Sequence, residues 1–167
     1  MIIIACEGKS ELILINHLIE RDVFFAKPEE LLDDRPLHMR QLTDIEAVIN
    51  SLDINEEIYV YRIGDTQKDK LDLSRFKERI KHIHIYNVCT KPEIEILIIL
   101  AENKYREYCK ISHEMNIGPK QYAKMAFKNY HSIEKYIEQH DIVQAIKNYK
   151  KVKKHKAGEM YLADLIK

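Results

Sequence analysis

The 167-residue chain is poor in the residues that punctuate multidomain or secreted proteins, with four glycines, four prolines and three cysteines. No Pro/Gly/Ser-rich stretch separates two globular parts. At 46% hydrophobic residues the chain carries enough apolar side chain for one sizeable core, so one compact unit with a helical tail is expected. The cysteines, Cys6, Cys89 and Cys109, are odd in number and lack C-x-x-C spacing. That excludes a disulfide framework and a zinc knuckle, and a reducing cytoplasm is the expected setting. Long apolar runs are missing too. The run 2–6 stops at Glu7, too short for a signal peptide or a membrane span, so a soluble protein with no membrane partner is expected. Net charge is absent as well: 27 basic and 27 acidic residues cancel, which leaves no global footprint for a polyanion. No internal repeat or low-complexity segment is present.

What the chain does have is an uneven distribution of charge. Residues 1–34 hold Glu7, Glu11, Glu20, Asp22, Glu29, Glu30, Asp33 and Asp34 against Lys9, Arg21 and Lys27. The tail reverses the balance, with Lys147, Lys150, Lys151, Lys153, Lys154 and Lys156 around His155.

The hydrophobic pattern changes in an orderly way. Residues 2–6 form a β-branched run without alternation, as suits a strand covered on both faces. After Gly8, Ser10 is placed to cap a helix with the stripe Leu12, Ile15, Leu18, Ile19. A short strand is predicted over 37–42, then a helix capped by Thr43 and carrying Ile45, Val48, Ile49 and Leu52. Strands follow over 58–63 and 83–88, with a short helix over 73–80 between them. This β-α-β-α-β-α-β order predicts an α/β fold with a parallel four-stranded sheet flanked by helices. From Pro92 onward the pattern is helical. Residues 94–100 are too continuously apolar for an exposed helix, and the later stripes give three short amphipathic helices and a final one at Leu162, Leu165 and Ile166.

Ligand chemistry in open parallel sheets gathers at the carboxyl ends of the strands. Glu7 follows the first strand, Asp65 the third, and Glu93 and Glu95 the fourth. Burying an unpaired carboxylate costs several kcal/mol, so acids in such places point to a metal, a proton transfer or a cation. Hard cations such as Mg²⁺ take oxygen ligands, often only one or two from protein. Lys9 and Ser10, at a helix N-terminus, are candidates to contact a phosphate. They do not form a phosphate-wrapping loop, because the first glycine of G-x-x-x-x-G-K-[ST] would fall at Ile3, inside the strand.

Three segments together resemble the Toprim domain. The strand leading into Glu7-Gly8-Lys9-Ser10-Glu11 and a helix is similar to its first motif, and Gly64-Asp65-Thr66-Gln67-Lys68-Asp69 to its D-x-D motif. Thr90-Lys91-Pro92-Glu93-Ile94-Glu95 resembles a segment of the small standalone Toprim-like proteins of the RloB and overcoming-lysogenization-defect groups, found in phage-defence and mobile-element settings. The resemblance covers residues 1–105 and leaves 106–167 as a helical C-terminal extension packed on that domain. It implies a Rossmann-like sheet and a Mg²⁺- or Mn²⁺-dependent nuclease, or a related phosphotransfer enzyme acting on DNA or RNA. Glu7 would exchange the proton, and Asp65, with Asp69, Glu93 and Glu95, would hold the metal. The second D-x-D position is Gln67, a neutral amide. Either Asp69 replaces it through a different loop geometry or the site is weakened, which leaves a binding module without turnover as the alternative. The resemblance also admits a third role, the non-ATPase subunit beside an ATPase partner.

Other residues have plainer readings. The lysines of 147–156 make either a solvated helix face or a patch that neutralises phosphates. His82 and His84 flank Ile83 and read as hydrogen-bonded sheet-edge residues, since no third metal ligand is visible. Cys6 and Cys89 read as buried small hydrophobes, and Tyr122, Tyr130, Tyr136 and Tyr149 mostly as helix core.

Overall fold

A computed structural model describes residues 1–65, 70–90, 94–128, 130, 132–152 and 158–167. Its first strand, β1 (Ile2–Cys6), sends alternate side chains into two different cores. Ile3 and Ala5 pack on one face and Ile4 and Cys6 on the other, which is why the run needs no polar alternation. β2 (Leu37–His38), β3 (Ile58–Gly64) and β4 (Ile83–Cys89) complete the predicted set, all parallel. A fifth strand, β5 (Glu159–Met160), joins β4 in parallel and gives the order β2-β1-β3-β4-β5.

Helices cover both faces. The helix α1 (Lys9–Glu20) places Leu14, Ile15 and Leu18 in the larger core, while α2 (Leu42–Ser51) places Ile45 and Ile49 in the smaller one on the opposite face. The helix α3 (Ile96–Ala101) is buried from Ile96 to Leu100, as its continuous apolarity requires. Each of those side chains contributes about 1.5–3 kcal/mol by leaving water. Around it stand α4 (Tyr105–Met115), α5 (Pro119–Ala126) and α7 (Val143–Val152), while α6 (Ile133–Gln139) lies against α1. Tyr122, Ile137, Ile146 and Tyr149 from these helices share the larger core with β1, β3 and β4.

Several local expectations are corrected. The second strand ends at His38, because Gln41 already caps α2, its N–H donating to Asp44 Oδ2 at 3.2 Å. Thr43 is therefore inside that helix. Gly8, not Ser10, is the N-cap of α1, and the Ser10 hydroxyl donates instead to Glu134 Oε1 at 2.9 Å. The segment 73–80 forms 3-10 turns at Leu73–Phe76 and Ile80–His82, and the terminal segment is a 3-10 turn at Leu162–Leu165 behind β5. No helix among the described residues is long and apolar enough to cross a membrane.

Candidate active site at the carboxyl edge of the sheet

The chain runs outward from β1 to β2 on one side and continues with β3 on the other, so the switch point of the sheet lies between β1 and β3. Glu7 and Asp65 are the residues that leave those two strands. The ladder continues one step past the strands, with Glu7 N–H donating to Ile63 O at 2.9 Å, Thr90 N–H to Gly64 O at 3.0 Å and Met39 N–H to Cys6 O at 2.9 Å. These bonds bring the exits of β1 to β4 level with one another.

Two glycines give the acids room. A Cβ on Gly64 would stand 2.7 Å from Glu7 Cβ and collide with its carboxylate, so the Glu7 side chain lies directly on the β3 backbone. A Cβ on Gly8 would collide with the Glu11 carboxylate. Neither glycine has a positive φ, so in both places the requirement is space. Glu11 sits in the first turn of α1, only 9% exposed, and accepts a hydrogen bond from Thr90 Oγ1 at 3.2 Å. Burial pushes its carboxyl above the ordinary range, and the charges of Asp65 and Glu7 push the same way. Hydrogen bonds from its own backbone and from Thr90 oppose the shift. Burial also raises the Cys6 thiol, so that cysteine is a core residue and no nucleophile.

From the other side comes Glu95, 5% exposed, just before α3. Tyr130 Oη donates to its Oε1 at 3.4 Å, and Lys120 Nζ from α5 stands 3.8 Å from the same oxygen. Arg40, past the end of β2, also lines the cleft. Together these residues enclose a cleft of about 340 Å³. No family model, curated protein or solved structure matches the chain.

Of the residues expected from sequence, Glu7, Asp65, Glu95 and Ser10 line this cleft. Lys9 is exposed on α1, where its charge helps to lower the Glu134 carboxyl, and Ser10 is bonded to that same carboxylate. Asp69, Glu93, Gln67, Lys153, Lys154 and Lys156 lie outside the described residues. Lys147, Lys150 and Lys151 are exposed on α7. Lys150 pairs with Asp164 and stands 5.2 Å above the Tyr161 ring, and Lys151 donates to Asn148 Oδ1 at 3.4 Å. His82 and His84 meet Glu57, at 2.5 and 2.9 Å, on the amino side of the sheet.

Glu11, Arg40 and Lys120 also line the cleft, and Thr90 bonds to Glu11, none of which the sequence reading assigned to the site. Glu11 could have been found: the first helical turn after a strand-end acid points back at the same edge. Arg40 follows from applying the strand-end rule to the second strand as well. Lys120 had no local signal, because only packing of α5 on α3 brings it to Glu95.

Carboxylate oxygens are the donors a hard divalent cation takes. Among the described residues no three Asp, Glu, His or Cys groups are gathered closely enough to hold a metal by themselves. A cation here would have only one or two of these carboxylates as ligands and would complete its shell with water and phosphate.

Proposed function

We propose that the cleft is the active site of a Mg²⁺- or Mn²⁺-dependent enzyme that cleaves or transfers phosphodiester groups of nucleic acid. One observation carries the reading: Glu7 and Asp65 leave neighbouring strands at the switch point of the sheet, with Glu7 laid on Gly64. The Toprim-like motifs coincide with these same two strand ends and support it.

In this reading Asp65 and Glu95 would hold the metal, and Glu7 exchanges the proton with the attacking or leaving oxygen. A bound Mg²⁺ supplies Lewis-acid stabilisation of the phosphoryl oxygens and lowers the pKa of the attacking water. Glu11, with its carboxyl raised by burial beside two other acids, retains a proton more readily than an exposed glutamate. Thr90 fixes the orientation of that carboxyl. Arg40 and Lys120 bring positive charge to a cleft that must otherwise repel a phosphodiester.

The test is cleavage of single- and double-stranded DNA and RNA with Mg²⁺ or Mn²⁺. Glu7→Gln should lower the rate by about 10²–10⁴-fold, and cleavage that survives this substitution removes the assignment. A second reading, binding without turnover, is favoured by Lys120 standing 3.8 Å from Glu95 and by Gln67 at the second acidic position. Wild-type protein that binds but never cleaves, whichever divalent cation is added, decides for it.

A further inference from the structure

The acidic cleft does not stop at Arg40. A small depression of about 10 Å³ shares Glu7 and Arg40 with it and adds Arg62, and a larger one of about 250 Å³ shares Arg62 and runs on past Asn87 to Lys70. The register explains the continuity. Ala5, Arg62 and Asn87 are lateral neighbours on β1, β3 and β4, and residues two apart from them on each strand, Ile3, Val60 and Ile85, face the smaller core. Parallel strands buried on both faces are nearly all apolar. A half-buried arginine and asparagine side by side on the two central strands therefore mark a row where the face is open. Among the described residues the buried side-chain oxygen of Asn87 has no hydrogen-bond partner, and a group so placed is costly to leave unmade.

We infer that this row is the floor of a groove that takes a single strand of nucleic acid, its phosphates on Arg40, Arg62 and Lys70. The inference rests on the phosphodiester reading of the cleft and deepens it by stating where the substrate lies. Among the described residues, Arg40, Arg62 and Lys70 are the charged groups lining these two depressions besides Glu7. A cationic groove that follows one backbone is the usual form of single-strand binding. The groove opens directly on the acids, whereas Lys150 of α7 pairs with Asp164 and stands over Tyr161.

Fluorescence anisotropy of a labelled single-stranded oligonucleotide, titrated with salt in EDTA, tests this without any turnover. Arg40→Ala and Lys70→Ala, both at exposed positions that folding tolerates, should each weaken binding. Each should reduce the slope of log K against log salt by about 0.7, the value for one lost phosphate contact on a single strand. Arg62→Ala should do the same, with circular dichroism to confirm the fold. Unchanged affinity and slope in Arg40→Ala and Lys70→Ala overturns the groove, as does wild-type protein that binds no oligonucleotide. A loss produced by Lys147→Ala and Lys151→Ala in place of the groove variants overturns it too and moves the strand to α7. Failure of the groove is distinct from failure of the enzyme reading. If Glu7→Gln abolishes cleavage while the groove variants bind normally, only the groove falls. If the groove variants lose binding while Glu7→Gln still cleaves, only the assignment of Glu7 falls.

Discussion

The two ends of one sheet treat their carboxylates in opposite ways. At the amino end Glu57 precedes β3 and meets His82 and His84, and these hydrogen bonds hold its carboxyl below the ordinary range. The chain's amino group donates to Glu57 O at 2.8 Å and stands 3.6 Å from Glu56. Nearby, the buried Arg79 guanidinium donates to Ile49 O at 2.6 Å, Leu52 O at 3.2 Å and Asp53 O at 2.6 Å, closing the end of α2. At the carboxyl end Glu11 is buried beside Glu7 and Asp65 and its carboxyl is pushed up. Acids at the first end support the fold. At the second, the buried Glu11 carboxyl works against it.

The sharpest way to break this contrast is Gly64→Ala. The added methyl displaces Glu7, so cleavage should fall by about 10²–10⁴-fold, the contribution of one positioned acid or base; a rate assay on folded protein checks it. Next comes the amino end, where Arg79→Ala strands three carbonyls and should lower the unfolding free energy by about 3 kcal/mol. Urea denaturation measures that loss, and no change in oligonucleotide binding should accompany it.

Glu11→Gln should act in the other direction on stability. Because the folded carboxyl titrates above its ordinary 4.5, the folded state binds more protons than the unfolded state in that window, and stability falls as pH rises through it. The glutamine variant should therefore melt higher than wild type at neutral pH in EDTA, and the difference should shrink as pH drops toward 4.5. Equal melting temperatures across this range would remove the asymmetry between the two ends. The smallest effect belongs to Glu57→Gln. With a depressed folded pKa, Glu57 stabilises above its ordinary 4.5 and loses that contribution as pH falls through the folded value. The variant should melt slightly lower at neutral pH and match wild type in acid, and added salt should narrow the gap.

Much of this architecture is legible in the sequence because it rests on local pattern. The run that became β1 is apolar on both faces, those of β3 and β4 are mainly β-branched and aromatic, and the strand-end rule led directly to Glu7, Asp65 and Glu95. What was not legible depends on packing between distant segments. β5 has two residues and no period of its own, and it exists because it pairs with Asn87 and Val88. Ser10 has the chemistry of a cap, yet Glu134, far along the chain, takes its hydroxyl. Lys120 and Tyr130 reach Glu95 only through the docking of the C-terminal helices. Arg62 and Asn87 were readable as polar breaks in apolar strands, but their adjacency needed the register.

The attachment of Lys120, Tyr130 and Glu134 to the cleft also sets an order in time. Synthesis runs from the amino end, and domains begin to fold as they emerge. Glu7, Glu11, Asp65 and Glu95 all leave the ribosome before Lys120, Tyr130 and Glu134, which bond to Glu95 and to Ser10 beside them. The acidic edge is thus translated first and its restraints last. A chain halted before residue 120 would carry all four acids of the cleft without Lys120, Tyr130 or Glu134.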